Sequence, residues 1–513
     1  MTPGNQGNRT WPFAFGLLIL LTTNAATLGG ERPNLVYILA DDLGYGDVGA
    51  MNTGSKIATP NIDRLAAEGM VFTDAHSGSA VCTPTRYGIM TGRYAWRSRL
   101  QSGVLGGYSP PLIKPDRLTV ASLLSKNGYR TACVGKWHLG LDWTTTKPVE
   151  FGDAVVPKGG TDTIDYTKAI KGGPLALGFD SFFGITASLD MSPFVFIRDD
   201  HSVGVATTTK TIVRKGPAAE DFEAVNVLPS FTTEAVAFLD GQAGKPQPFF
   251  LYLPLSAPHA PIVPSDEFKG KSGLGPYGDF VMQVDATVGR VLDALNRNSQ
   301  EQNTLVVFTS DNGCSPTADF PTLAKHDHYP SGPLRGHKAD IFEGGHRIPF
   351  LARWPGKIKA GSTCADTICL TDLMATCADI LDLKLPDDAG EDSVSILPDL
   401  LDKASGPLRE ATVHHSINGS FAIRQGHWLL VLCSGSGGWS PPRPGRDATK
   451  GLPPLQLFDL RSDLGQRRNL EAEHPEIVER LTRLLERYVS EGRSTPGTPL
   501  TNEKAVQIHK RPA

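Results

Sequence analysis

Residues 33–42 read Pro-Asn-Leu-Val-Tyr-Ile-Leu-Ala-Asp-Asp, and this stretch decides the fold class. Six apolar residues, 35–40, follow one another without a polar interruption. A continuous apolar run of this length indicates a strand buried on both faces, as in the central sheet of an α/β protein. The run ends at two carboxylates, Asp41 and Asp42.

The same kind of apolar run recurs along the chain, at residues 131–134, 249–253 and 305–309. Helical patterns lie between the runs. Residues 62–69 contain good helix formers before a glycine stop, and residues 281–295 carry valines and leucines on one face. Alternation of buried strands with helices predicts an α/β fold, with a mostly parallel central sheet covered by helices on both sides.

Beyond about residue 400 the pattern changes to short strands in succession. Residues 420–431 have the pattern of a hairpin, residues 455–460 form another strand, and an amphipathic helix starts at Pro475. These features predict a small C-terminal α+β domain with an antiparallel sheet. We therefore divide the chain into residues 1–30, 31–400 and 401–513, and we expect polar loops bordering a substrate cleft at residues 151–226.

The N-terminal segment has the features of an export signal. Arg9 precedes an apolar run at residues 11–21, and small residues follow at 23–26. The run is too short to span a bilayer comfortably. The segment predicts a signal peptide at residues 1–30, a secreted or periplasmic protein, and no integral membrane span.

Charge and cysteine content narrow the possible functions further. The 513 residues contain 50 basic and 54 acidic side chains, for a formal net charge of −4. Such a balance gives no polycationic surface, so we expect no nucleic-acid partner, and any anion must be bound locally. The seven cysteines are an odd number, so an exported protein keeps at least one unpaired or chemically special. Cys364, Cys369 and Cys377 fit either a disulfide or small buried residues.

Residues 80–92, Ala-Val-Cys-Thr-Pro-Thr-Arg-Tyr-Gly-Ile-Met-Thr-Gly, are the most informative chemically. Pro84 suits the first turn of a helix whose N-terminal amides point toward Cys82. That end of a helix favours anions, and Arg86 adds a positive charge. The cysteine alone predicts either a reactive thiolate of lowered pKa or a small buried residue.

Two further pairs of polar residues end apolar strands. Asp41-Asp42 and Asp311-Asn312 would meet if their strands are adjacent and parallel, giving oxygen-only ligands suited to Ca²⁺ rather than Zn²⁺. Lys136 and His138 follow another strand, two residues apart, and predict an oxyanion site at its end. Gly135, just before them, permits close backbone approach.

The chain resembles the sulfatase family at several of these segments. Cys82-Thr83-Pro84-Thr85-Arg86 and the residues up to Gly92 match the family's first signature, and residues 128–138 match its second. The resemblance implies a type I, arylsulfatase-like enzyme with an alkaline-phosphatase-like α/β/α sandwich. It also implies that a maturation enzyme oxidises Cys82 to formylglycine during export. In the family, one hydroxyl of the hydrated aldehyde attacks sulfur, whereas a thiolate would be left as a stable thiosulfate ester.

The resemblance also implies a set of site residues. The metal ligands would be Asp41, Asp42, Asp311, Asn312 and residue 82, around one Ca²⁺. The catalytic residues would be Cys82, Arg86, Lys136, His138, His259 and Lys338. Substrate contacts would come from Lys136, His259, Lys338 and Ser188.

Each of these residues is expected to have a defined task. Arg86, Lys136 and Lys338 would neutralise the sulfate, and Asp311 would accept the proton of the attacking hydroxyl. His259, together with Lys338, would protonate the leaving oxygen. His138 would deprotonate the second hydroxyl, so that inorganic sulfate is released.

The resulting hypothesis is hydrolysis of sulfate esters, in a sulfated small molecule or saccharide, to an alcohol and inorganic sulfate. Two alternatives remain: a phosphonate or phosphate ester hydrolase of the same fold, and a catalytically silent protein that binds sulfated glycans. Residues 151–226 and the loop around Trp439 are expected to select the alcohol. The remaining histidines are expected to lie on the surface or line the cleft: His201, His326, His328, His414 and His415.

Overall fold

The computed structural model describes residues 1–7, 32–156, 158–445 and 447–509. Most of the predicted signal peptide, residues 8–30, lies outside the described residues. Among the residues that are described, none of the helices combines the length and apolar character needed to cross a bilayer.

The strands of the described residues are labelled in chain order. They are β1 Asn34–Asp41, β2 Met70–Phe72, β3 Ala75–His76, β4 Arg130–Lys136, β5 Ser181–Ile185, β6 Phe196–Arg198, β7 His201–Val203, β8 Thr208–Ile212, β9 Arg214–Ala218, β10 Phe249–Pro258, β11 Thr304–Ser310, β12 Phe350–Arg353, β13 Ser362–Cys364, β14 Ile368–Cys369, β15 Thr412–His415, β16 Phe421–Gln425, β17 Trp428–Val431 and β18 Gln456–Asp459.

The α-helices of the same residues are also labelled in order. They are α1 Pro60–Ala67, α2 Cys82–Thr91, α3 Val120–Lys126, α4 Val227–Gly241, α5 Pro276–Arg297, α6 Phe320–Ala324, α7 Glu343–His346, α8 Leu373–Ile380, α9 Leu397–Leu400 and α10 Pro475–Ser490.

A ten-stranded sheet forms the centre of the molecule, in the order β13-β2-β12-β11-β1-β10-β4-β5-β6-β7. Its middle strands, β11, β1, β10, β4 and β5, all run parallel. The strand predicted from residues 35–40 lies in the middle and is buried on both faces. The predicted α/β class with a mostly parallel sheet is confirmed.

Two layers of helices cover this sheet. Helices α1, α4 and α5 pack on one another in one layer, and α2, α3 and α8 pack on one another in the other. Helix α5 shows why the sequence folds this way, since Val284, Val288, Val291 and Leu295 are all buried at helical spacing. The helices predicted at residues 62–69 and 281–295 are therefore present as α1 and α5.

The C-terminal part of the chain forms a four-stranded antiparallel sheet, in the order β15-β16-β17-β18. The predicted hairpin is β16–β17, and the predicted helix at Pro475 is α10. Helix α10 packs on this sheet through Leu481, Leu485 and Tyr488, in a core that also contains Tyr94 and Trp96 from the larger part of the molecule. The predicted antiparallel sheet is confirmed.

The prediction for residues 151–226 was wrong in part. The segment contains β5 to β9, and β5 is a parallel strand of the central sheet. Strand β5 spans five residues and includes Gly184, so it lacks a long apolar run. The glycine is needed there, because a Cβ at Gly184 would collide with the carbonyl oxygen of Gly135 on β4.

Candidate active site

The site lies at the carboxyl edge of the parallel strands. Strands β1 and β11 are adjacent, and their register pairs Ala40 with Ser310. The residues that follow, Asp41-Asp42 and Asp311-Asn312, therefore meet, as the sequence predicted. The Asp42 amide donates to Asp311 Oδ1 over 3.2 Å. Strands β10 and β4 end at the same edge of the sheet. His259 directly follows the end of β10, and Lys136 is the last residue of β4.

Three cations face three carboxylates in this cluster. Lys136 Nζ lies 2.7 Å from Asp41 Oδ2, and Lys338 Nζ lies 2.6 Å from Asp42 Oδ1. The Arg86 guanidinium donates to Asp311 Oδ2 over 2.8 Å. All six side chains are buried, so their charges interact in a medium that screens them weakly. We call them, with Asn312, the carboxylate–cation cluster.

The pKa shifts of the charged residues in this cluster differ from one residue to another. Burial alone would raise the pKa of Asp41, but Lys136 and other neighbouring cations outweigh it and lower the pKa. Burial raises the pKa of Asp311, and the Asp41 charge raises it further. Burial also opposes protonation of Lys338, yet Asp42 raises the pKa of its amine. Asp41 is thus an anion and Lys338 a cation, whereas Asp311 accepts protons more readily than an ordinary aspartate.

Cys82 lies at the start of helix α2, beside this cluster. The helix begins at Cys82 itself, with Pro84 in its first turn and left-handed Gly92 as its C-cap. The side chain is buried, and burial raises the pKa of its thiol to about 11, although Lys136 and Lys338 oppose the shift. The alternative of a reactive thiolate with lowered pKa was therefore wrong, because desolvation outweighs the nearby cations.

The cluster fits a hard divalent cation. Asp41, Asp42, Cys82 and His259 each offer a ligand atom, and these atoms lie within 4.8 Å of one another. Asp41 Oδ1 and Asn312 Oδ1 are buried with no hydrogen-bond partner among the described residues. Free oxygens of this kind, next to further carboxylates, are the donors that Ca²⁺ prefers.

His138 lies at one side of the cluster. Strand β4 ends at Lys136, and His138 follows with a left-handed backbone (φ 57°). Its Nε2 lies 2.8 Å from the Leu105 carbonyl oxygen, and its Nδ1 has no partner among the described residues. Burial and then Lys136 lower the pKa of His138, so the ring is neutral and Nδ1 is its basic nitrogen. The Leu105 contact could not be predicted from residue types, because it uses a backbone atom.

His259 lies on the Lys338 side of the cluster. Its Nδ1 lies 2.5 Å from the Ala260 carbonyl oxygen, and its Nε2 lies 3.7 Å from Asp42 Oδ2. Burial lowers the pKa of His259, and Lys338 lowers it further. The ring is therefore largely neutral, next to a lysine that keeps its proton.

Ser188 follows strand β5. Its hydroxyl is buried and has no hydrogen-bond partner among the described residues. The same segment reaches the site through Thr186, whose carbonyl oxygen accepts from the His138 amide over 2.9 Å. The contacts that join the carboxylate–cation cluster do not include Ser188.

Two backbone contacts hold the Cys82 loop in place. The Ala339 amide, next to Lys338, donates to the Ala80 carbonyl oxygen over 2.8 Å, and the Ala80 amide donates to the His415 carbonyl oxygen over 3.0 Å. The C-terminal sheet thus contacts the loop that carries Cys82.

The backbones of β4 and β10 also approach each other closely. Gly135 on β4 has a φ of 140°, and a Cβ there would collide with the Pro254 carbonyl oxygen.

The expectation for the other histidines was wrong at three positions. His201 and His326 are exposed, but His328, His414 and His415 are buried. His328 contacts Asp47 at 2.8 Å. His414 stacks on His346, a residue distant in sequence, which is why spacing along the chain gave no signal for it.

An α/β/α sandwich with buried cations and carboxylates at the carboxyl edge of its sheet is the architecture of the alkaline-phosphatase-like hydrolases. The model of the sulfatase family matches residues 33–383 of the chain, and the chain belongs to that family. The protein is a sulfuric ester hydrolase.

Similar proteins agree with this assignment. An N-acetylgalactosamine-6-O-sulfatase of Bacteroides thetaiotaomicron is 35% identical over 506 residues, covering 89% of this chain and 93% of that protein. Human arylsulfatase A is 32% identical, covering 91% and 89%. A solved structure from work on the metabolism of multiple glycosaminoglycans by B. thetaiotaomicron has a TM-score of 0.77 at 34% identity, covering 89% of this chain and 99% of that one.

Proposed function

We propose that the protein removes sulfate from a sulfated carbohydrate, using a formylglycine made from Cys82 and one bound Ca²⁺. The proposed substrate class is a saccharide carrying 6-O-sulfated N-acetylgalactosamine. Its support is similarity to proteins named for that activity, at 35% identity in B. thetaiotaomicron and 30% in the mouse. The proposed products are the desulfated saccharide and inorganic sulfate.

The observation that carries the proposal is the environment of Cys82. A buried thiol with its pKa raised to about 11 is a poor nucleophile at neutral pH, yet its neighbours are the cations that a sulfate ester needs. The hydrated aldehyde of formylglycine would supply a hydroxyl nucleophile at this position and allow sulfate to be released afterwards. Because residue 82 is 2% exposed, the maturation enzyme must act before the chain folds around it.

The balance of charge supports a metal-assisted anion site. Asp41, Asp42 and Asp311 match Arg86, Lys136 and Lys338 in number, so the side chains alone have no surplus of positive charge. A bound Ca²⁺ would supply the surplus that attracts a sulfate ester and would polarise its oxygens. The oxygens of Asp41, Asp42, Asp311 and Asn312 would hold it.

The proposed proton transfers rest on the positions of the titratable groups around residue 82. We assign Asp311 as the base for the attacking hydroxyl, because its buried carboxylate lies close enough to Cys82 to interact with it electrostatically. Lys338 stays protonated beside the leaving oxygen and stabilises the charge that develops there. Together with His259 it would pass a proton to that oxygen, so that the saccharide leaves as an alcohol. His138, whose Nδ1 has no hydrogen-bond partner among the described residues, would accept the proton whose removal releases sulfate.

The proposal includes an exported protein, secreted or periplasmic. The basis is the predicted signal peptide at residues 1–30. Export would also bring the unfolded chain to the maturation enzyme. The test is N-terminal sequencing of the mature protein and determination of its location in the cell. Protein that is found only in the cytosol and still begins at residue 1 would contradict export.

The central experiment compares two cysteine variants in the same host. Cys82→Ala should abolish sulfate release from aryl sulfates and sulfated saccharides, whereas Cys377→Ala, at another buried cysteine, should retain it. Mass spectrometry of the peptide that contains residue 82 should show conversion of the CH₂SH group to an aldehyde. Full activity of Cys82→Ala would refute the proposal. Faster cleavage of aryl phosphates than of aryl sulfates would favour the phosphate ester hydrolase instead.

A further inference from the structure

A tryptophan is exposed on the loop formed by residues 434–442. Trp439 is 37% exposed, the most of any tryptophan in the described part of the chain. An exposed indole exposes apolar surface to water, which favours contact with a ligand that has an apolar face. The loop lies next to the turn that carries Lys338, because the Ile341 amide donates to the Ser436 carbonyl oxygen over 2.8 Å.

One buried carboxylate fixes Trp439 relative to Lys338. Asp340 Oδ1 accepts from the Trp439 amide over 2.7 Å and from the Ser440 amide over 3.0 Å. Asp340 Oδ2 accepts from the amide of His337, the residue before Lys338, over 3.0 Å. The side chain of Asp340 is fully buried, so these bonds are shielded from water. The Lys338 turn and the Trp439 backbone are therefore held as one unit.

Two more contacts make this loop rigid. The Trp439 carbonyl oxygen accepts from Arg443 Nε over 2.6 Å, so both backbone polar groups of Trp439 are bound. The preceding Gly438 packs directly on the turn, where a Cβ would collide with the carbonyl oxygen of Ala339. A rigid aromatic side chain loses little conformational entropy when it binds a ligand.

The geometry points to Trp439 as a stacking surface for the saccharide that leaves. This inference rests on the proposed function, in which Lys338 interacts with the leaving oxygen. The sugar attached to that oxygen must lie near the residues that flank Lys338, and pyranose rings present a face of C–H groups that packs on an indole. Trp439 is thus inferred to be a specificity-determining residue that contacts the saccharide but not the sulfate.

The test compares two substrates and three variants of the matured enzyme. The substrates are 4-nitrophenyl sulfate and a chondroitin oligosaccharide with 6-O-sulfated N-acetylgalactosamine. For Trp439→Ala we expect KM for the oligosaccharide to rise about tenfold with kcat nearly unchanged, as for loss of a binding contact that is equal in ground and transition states. Trp439→Phe should recover part of the loss. Leu452→Ala, at an exposed apolar residue between this loop and β18, should match the wild type.

The outcomes separate this inference from the proposed function. An oligosaccharide KM for Trp439→Ala within twofold of the wild-type value, with the wild type active on that substrate, overturns the role of Trp439 alone. A wild-type enzyme that cleaves 4-nitrophenyl sulfate but no sulfated saccharide overturns the carbohydrate assignment, and the stacking role with it. A fall in kcat that is equal on both substrates shows that Trp439 positions Lys338 and contradicts a saccharide contact.

Discussion

Two buried clusters in this molecule could each be mistaken for a metal centre. One is the carboxylate–cation cluster at the edge of the central sheet. The other, which we call the histidine cluster, consists of His76, His346 and His414. Asp41 and Asp42 of the first cluster, together with the neighbouring Cys82 and His259, have buried ligand atoms within 4.8 Å of one another, and so have the three histidines of the second. Only the first has the features of a site that binds an ion.

The difference lies in charge and ring geometry. The rings of His346 and His414 are stacked, with centroids 3.9 Å apart and planes 6° apart, so no single ion can lie in both ring planes. Their outer nitrogens, His346 Nε2 and His414 Nδ1, contact the carbonyl oxygens of Ile341 at 3.1 Å and Ser77 at 3.0 Å. Closeness of potential ligands is therefore not sufficient. The carboxylate–cation cluster differs in the kind of donor it offers, namely carboxylate and amide oxygens, of which Asp41 Oδ1 and Asn312 Oδ1 have no hydrogen-bond partner among the described residues.

The histidine cluster instead joins parts of the fold. Its members come from β3, α7 and β15, and thus from both the larger part of the molecule and the C-terminal sheet. Arg424 on β16 extends it, with Nη1 2.6 Å from Asp74 Oδ1. We expect substitutions in this cluster to change stability, and substitutions in the carboxylate–cation cluster to change activity.

The largest expected effect is on catalysis. Lys338→Met should lower kcat/KM on 4-nitrophenyl sulfate by roughly a thousandfold, because the proposed mechanism uses this cation to stabilise the leaving oxygen. The measurement is steady-state kinetics on protein whose residue 82 is shown to be converted. Retention of more than a tenth of the activity would remove Lys338 from the proposed mechanism.

The next effect is on stability. Arg424→Leu removes a positive charge next to the buried carboxylate of Asp74. It should lower the free energy of unfolding by about 3 kcal/mol, measured by urea denaturation. Activity per folded molecule should be unchanged. As a control, Arg64→Ala breaks an exposed pair with Asp293 and should cost less than about 1 kcal/mol. Equal losses in the two variants would contradict a structural role for the histidine cluster.

Metal ions give an effect of similar size that separates the clusters directly. At about a hundred times its Kd, Ca²⁺ should add about 2.7 kcal/mol to the stability of the wild type, and Asp42→Ala should lose this gain. Zn²⁺ should give no gain that depends on the histidine cluster. If Zn²⁺ raises the Tm of the wild type but not of His414→Phe, the histidine cluster binds metal and our distinction is wrong.

The smallest effect, when counted for a single pH unit, concerns the pH dependence of stability. Burial lowers the pKa of His346 from 6.5 to about 3, so below pH 6.5 the unfolded chain binds a proton that the folded protein does not. Stability should therefore fall as pH drops from 6.5 toward 3, by at most about 1.4 kcal/mol per pH unit for this proton. In urea titrations at several pH values, the free energy of unfolding of His346→Phe should depend less steeply on pH, by the amount that corresponds to one proton. An unchanged slope would mean that His346 is protonated in the native state.

A feature of the structure could be predicted when its sequence signal lies within one short stretch of the chain. Residues 35–40 and 305–309 form uninterrupted apolar runs, so their strands and the meeting of Asp41 with Asp311 could be predicted. Strand β5 could not, since it is short and contains Gly184. His414 could not be related to His346, because only tertiary packing brings them together. The raised pKa of Cys82 depends on burial of its side chain, and this burial could not be predicted from the spacing of residues along the chain.

The bond from the Ala80 amide to the His415 carbonyl oxygen has a consequence for biosynthesis. Translation proceeds from the N-terminus, so the ribosome makes residue 82 long before strand β15 emerges. Until then the loop around residue 82 lacks one of its anchors and stays accessible as nascent peptide. A fragment that stops before residue 412 would lack this anchor permanently, so we expect the larger part of the molecule alone to hold the loop around residue 82 less firmly.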